Sequence, residues 1–152
     1  MAKAARKSSK GIAGKDRPIK YEDKSPGQPE LLPIYDELKK LCSAYAGKKG
    51  MIVRGDSPGQ YGIWLDKEIE VAGRVRDDIG FVGLLVQKGY VGFYFMPIYI
   101  DTSLKKHIAP ELLKCLKGKT CFHIKKNDPV LMKQVKDTLK AGYEDYKKKG
   151  WV

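Results

Sequence analysis

Between Met51 and Met96 the chain is broken four times, at DSPG, DK, DD and KG, and apolar residues recur at every second position between the breaks. Alternation with period two is the signature of strands with one buried face. Connections this short force neighbouring strands to run antiparallel. The segments MIVRG, QYGIWL, KEIEVAGRVR, IGFVGLLVQ and YVGFYFM therefore predict an antiparallel meander. In the third of them Ile69, Val71, Gly73 and Val75 alternate with Glu68, Glu70, Arg74 and Arg76, which reads as one half-buried strand.

Turn arithmetic then assigns the faces. A Lys88–Gly89 turn pairs Gln87 with Tyr90, Leu85 with Gly92, Gly83 with Tyr94 and Phe81 with Met96. An Asp77–Asp78 turn would pair Arg74 with Phe81, Ala72 with Gly83 and Glu70 with Leu85. Paired residues share a side of the sheet. One side collects Ile69, Val71, Val75, Val82, Leu84, Val86, Val91, Phe93 and Phe95 and reads as the core face. The other collects Glu70, Ala72, Arg74, Phe81, Gly83, Leu85, Gly92, Tyr94 and Met96, and an Asp66–Lys67 turn adds Tyr61, Ile63 and Leu65. This second face is apolar, floored by glycines and edged by charge. Its candidate ligand-binding residues are Tyr61, Glu70, Arg74, Phe81, Tyr94 and Met96.

Helical spacing frames the meander. Ile34, Leu38, Leu41 and Tyr45 fall on one stripe before Gly47. Leu131, Val135, Leu139, Tyr143 and Tyr146 form another, opened by the Asp128–Pro129 start signal. Between them, residues 97–116 predict one or two short helices, and TCFHIK a last strand. Residues 1–29 are rich in Lys, Ser, Gly and Pro, and too poor in large apolar residues to offset their ordering entropy. They read as a disordered basic tail, with residues 30–152 as a single domain.

The 152-residue chain carries a formal net charge of +12. Residues 1–30 hold 8 basic against 4 acidic side chains, residues 31–103 hold 9 against 9, and residues 104–152 hold 13 against 5. The excess suits polyanions at low salt, and lysines near the last helix, among them Lys133, Lys136, Lys140 and Lys147, would supply a non-specific nucleic-acid contact. Lys88 to Phe95, KGYVGFYF, half-matches an RNA-recognition octet. Tyr90 and Phe95 have opposite parity, however, and cannot share one stacking surface. His107, Cys115, Cys121 and His123 do not have the spacing of a closed zinc site. Three cysteines in no redox pattern fit a reducing compartment. With no secretory segment and no apolar run of membrane-spanning length, the expectation is a cytoplasmic protein without a membrane partner. No nucleophile elbow or P-loop is present, so a binding protein is expected rather than an enzyme.

Three segments in order, GYVGFYFMPIYID, SLKKHIAPELLKCLKGKTCFHIKKND and LKAGYEDYKKKGWV, resemble the YdhG-like family, a bacterial domain of unknown function. The resemblance runs from about Pro33 to Val152. It implies a frataxin-like α+β fold: a two-layer sandwich in which N- and C-terminal helices pack on one face of an antiparallel sheet of about five to six strands. Some relatives are proposed to be intracellular iron chaperones. By resemblance, the acids that would hold iron are those of the first helix region, Glu30, Asp36 and Glu37. The function implied is a small binding domain for iron, another metal or a small ligand; the alternative is a basic protein that associates non-specifically with nucleic acid.

Overall fold

A computed structural model describes residues 21–152. It has the α+β class: helices and a six-stranded sheet in which every pairing is antiparallel. A 3-10 turn over Pro29–Leu31 leads into α1, Leu32–Ser43. Six strands follow: β1, Met51–Ser57; β2, Gln60–Leu65; β3, Ile69–Val71; β4, Arg74–Arg76; β5, Gly80–Gln87; and β6, Tyr90–Phe95. Short α2 (Pro97–Ile100), a 3-10 segment (Thr102–His107) and α3 (Pro110–Leu113) lead to β7 (Leu116–Lys117), β8 (Cys121–Ile124) and α4 (Pro129–Lys148). The sheet order is β1-β2-β5-β6-β8-β7. No helix among the described residues is long and apolar enough to cross a membrane.

α4 starts where its sequence says it should. The Asp128 carboxylate accepts a hydrogen bond from the Val130 N–H at 2.9 Å, and Pro129 occupies the first turn, where its missing N–H costs nothing. Its stripe of Leu131, Val135, Leu139 and Tyr146 is buried. α1 buries Ile34, Tyr35, Leu38 and Cys42 and packs on α4 and on β5. The Tyr146 hydroxyl donates to the Gly80 carbonyl at 2.8 Å, which ties α4 to the sheet. Gly142 lies directly against the Phe95 ring and Pro97, an approach that a larger side chain would block. Helices α1 and α4 thus cover the face holding Val82, Leu84, Val91, Phe93 and Phe95, all buried. The register of β5 and β6 follows the turn arithmetic, with Gln87 opposite Tyr90, Leu85 opposite Gly92 and Gly83 opposite Tyr94.

The third segment departs from expectation. It is not one strand but a hairpin: β3 and β4 pair with each other around Ala72 and Gly73, whose φ values are +52° and +80°. Two successive positive φ values make the tight turn that matches strand twist. The pairings of Arg74 with Phe81, Ala72 with Gly83 and Glu70 with Leu85 therefore do not form. β2 lies beside β5 instead, and all six of its residues are buried. Val75, expected in the core, is 67% exposed on the hairpin.

Residues 21–29, read as part of the tail, are also placed. The Tyr21 hydroxyl donates to the Val86 carbonyl at 2.7 Å. The Gln28 amide donates to the Gln87 carbonyl at 3.1 Å, and its oxygen accepts from the Gly89 N–H at 2.7 Å. The segment is a strap that caps the turn between β5 and β6. The rest of the expected tail, residues 1–20, lies outside the described residues.

Candidate functional site

The sheet face away from α1 and α4 is the place to look for binding, because no long helix among the described residues covers it. Of the six residues expected there, Tyr94 and Met96 are on it, both half-buried. Tyr61 is not: it stands opposite Leu84 and is buried in the core. Phe81 is not either. Ile63 pairs Val82 while Trp64 pairs Gly80, so β5 carries one extra residue at this point. That bulge turns Phe81 toward the helices, where its ring lies 5.4 Å from Tyr45 and 5.9 Å from Tyr146. Glu70 and Arg74 leave with the β3–β4 hairpin and are exposed.

What takes their place comes from β1, β2 and β8. β1 is irregular between Val53 and Asp56, where Gly55 has φ +82°. A bulge on an edge strand re-aims the side chain beside it, and here Arg54 lies over the Trp64 indole at 5.7 Å. Trp64 leans across Gly62, whose absent Cβ makes the space, and touches the position above Gly80 that Met96 also approaches. Directly paired Gly62 and Gly83 floor the middle of the face. A Cβ on Gly83 would meet the Tyr61 carbonyl and the Tyr94 Cβ at ordinary van der Waals distance, 3.9 Å each, so this position would take a small side chain without a clash. On the next strand the Tyr94 ring lies over Gly92, and its hydroxyl accepts from the Gln87 amide at 3.4 Å. Burial pushes the Tyr94 phenol up to about 12, so it stays protonated.

Two donors on this side are unanswered. Arg54 Nη1 and Gln60 Nε2 are buried with no hydrogen-bond partner among the described residues. Gln60 is only 7% exposed, and its oxygen is already used by the Ser57 hydroxyl at 3.0 Å. Leaving such donors unmade costs roughly 1–3 kcal/mol each. Farther along, Tyr90 stacks on His123 with ring centres 3.7 Å apart and 11° between planes. Burial, with Lys117 and Lys125 close by, holds His123 below the usual imidazole range. Among the described residues, no strand position that points to this face carries Asp or Glu.

No significant match was found among protein-family models, curated proteins or solved structures.

The acids named for iron are elsewhere. Glu30 lies in the 3-10 turn, and Asp36 and Glu37 lie on α1; Glu30 and Asp36 are exposed. No group of three or more His, Cys, Asp or Glu among the described residues is arranged to hold a metal ion. His107 is exposed and His123 is engaged with Tyr90, so the two histidines do not gather around Cys115 and Cys121. Arg54, Gln60 and Trp64 are the site residues that sequence reasoning missed; Tyr90 and His123 enter it only through the octet and the zinc spacing, neither of which predicts that the two rings stack on each other. The signals were weak: a Gly after Arg54, Gly62 two residues before Trp64, and His123 in step with Cys121 on a short strand.

Proposed function

We propose that this protein is a small binding module of the YdhG-like type, with a frataxin-like arrangement, acting in the cytoplasm through its helix-free sheet face. Its ligand is a small planar anion. The observation that carries this is the Arg54 guanidinium over the Trp64 indole, its Nη1 without a hydrogen-bond partner among the described residues, on a face whose described strand positions carry no carboxylate. The Arg54 guanidinium, held over Trp64 and only partly buried as a side chain, is the cation that an anion on this face would pair with. The paired glycines Gly62 and Gly83 keep the middle of the face low, which suits a flat group. Packing of α1 against α4 and β5 supports the frataxin-like arrangement, and three free cysteines suit a reducing compartment.

Iron fits less well. Hard cations want oxygen ligands converging on one point and a negative potential. Asp36 and Glu37 are followed within one helical turn by Lys39 and Lys40, on a chain of net charge +12.

Trp64 is the natural reporter. In a Trp151→Phe background, titration with benzoate and with adenosine monophosphate should change its emission saturably for at least one of the two. Arg54→Met should remove the response. A flat titration with both probes to millimolar concentration, or a response indifferent to Arg54→Met, would overturn the reading.

A further inference from the structure

The anion reading uses only one half of the face. The other half holds Tyr94, the stacked Tyr90–His123 pair, and lysines at the margin. Lys117 stands opposite Cys121 on edge strand β7, Lys125 follows β8, and Lys88 is exposed in the turn between β5 and β6. Arg54 marks the opposite edge. Six strands at ~4.8 Å spacing give a face about 24 Å wide, wider than one small planar ligand fills. Aromatic rings sit on the inner strands β6 and β8, cations sit at both edges, and acids are absent between them among the described residues.

That layout has a specific chemical complement. A chain of flat rings joined by phosphates would place its rings on the aromatics and its charges on the rim. We propose that the helix-free face binds single-stranded nucleic acid, bases stacking on Tyr94 and on the Tyr90–His123 pair, phosphates running along Lys88, Lys117, Lys125 and Arg54. The inference rests on the reading that this face takes an anion, and extends it from a single planar group to a polymer. Duplex does not fit as well, since its bases stack on each other and offer no free faces to rings on a sheet. Charge complementarity alone would accept any polyanion; the rings add the preference for exposed bases. The geometry differs from the octet match in the sequence, because Phe93 and Phe95 belong to the core and His123 comes from another strand.

The test uses the full chain and fluorescence anisotropy with a labelled twelve-nucleotide oligothymidine, the matching duplex, and heparin. The single strand should bind more tightly than the duplex. Tyr94→Ala and Tyr90→Ala should each weaken single-strand binding roughly tenfold, with the salt slope unchanged. Tyr94→Phe keeps the ring and should keep the affinity, which separates stacking from loss of fold. Lys117→Gln with Lys125→Gln should flatten the salt slope instead. Equal affinity for single strand, duplex and heparin, with no effect of the tyrosine changes, would overturn the inference and leave charge alone at work. Benzoate or adenosine monophosphate acting on Trp64 while oligothymidine does not bind would overturn the polymer and keep the anion site. Failure of all three probes would remove both.

Discussion

Arg54 shows how a single residue separates function from stability. Its guanidinium stacks on Trp64, worth about 0.5–1 kcal/mol at a partly exposed site. Against that stands the buried Nη1 without a partner among the described residues, costing roughly 1–3 kcal/mol. The balance leans toward cost, so Arg54→Met, which keeps the packing of the stem, should leave the thermal midpoint unchanged or raise it while ligand binding is lost. A fall of more than about 2 kcal/mol in denaturant unfolding would mark Arg54 as structural and contradict its role as a ligand-facing cation. None of this was legible in the sequence, where Arg54 is one of 30 basic residues. What singles it out is a bulge, and a bulge is a property of two strands together.

At the scale of elements, the hairpin β3–β4 is the instructive case. Alternation of Ile69, Val71, Gly73 and Val75 is real, yet it reads as one strand because Ala72–Gly73 is a poor turn signal. Turns with two positive φ values favour Asn-Gly or Asp-Gly. Ala72 at φ +52° carries the steric cost of a Cβ in the left-handed region. Ala72→Asn should therefore raise stability by roughly 0.5–1 kcal/mol, read as an upward shift of the urea midpoint. A downward shift would mean that the exposed turn does not hold this conformation. The helices were easier to read. Asp128 and Pro129 mark the start of α4 by local chemistry alone, and its stripe needs no knowledge of what it packs on. The β5–β6 register was readable for the same reason, since a two-residue turn fixes it locally.

Across the whole molecule, long-range contacts decided that residues 21–29 are tied to the sheet and, among the described residues, which face no long helix covers. Tyr21 and Gln28 bond to backbone groups of Val86, Gln87 and Gly89, about sixty residues away in sequence. Each such bond contributes about 0.5–1.5 kcal/mol net. The pair Tyr21→Phe with Gln28→Ala should lower stability by roughly 1–3 kcal/mol and speed amide exchange at Gly89; unchanged values for both would show that the strap adds nothing to the fold. Composition marked this stretch as tail because it lacks large apolar residues, and composition cannot register hydrogen bonds to a distant turn. The sequence by itself determined the α+β class, the helix starts, the antiparallel pairing of β5 with β6, and the burial of Phe93 and Phe95, because periodicity, capping and short turns act over a few residues. Only the tertiary structure decided that β2 displaces the third segment beside β5, that Tyr61 and Phe81 turn inward, and that Arg54, Trp64, Tyr94 and His123 share one surface whose described strand positions carry no acid. Those outcomes depend on which strands become neighbours and where a bulge inserts one residue, and a shift of one residue exchanges the two faces of a strand.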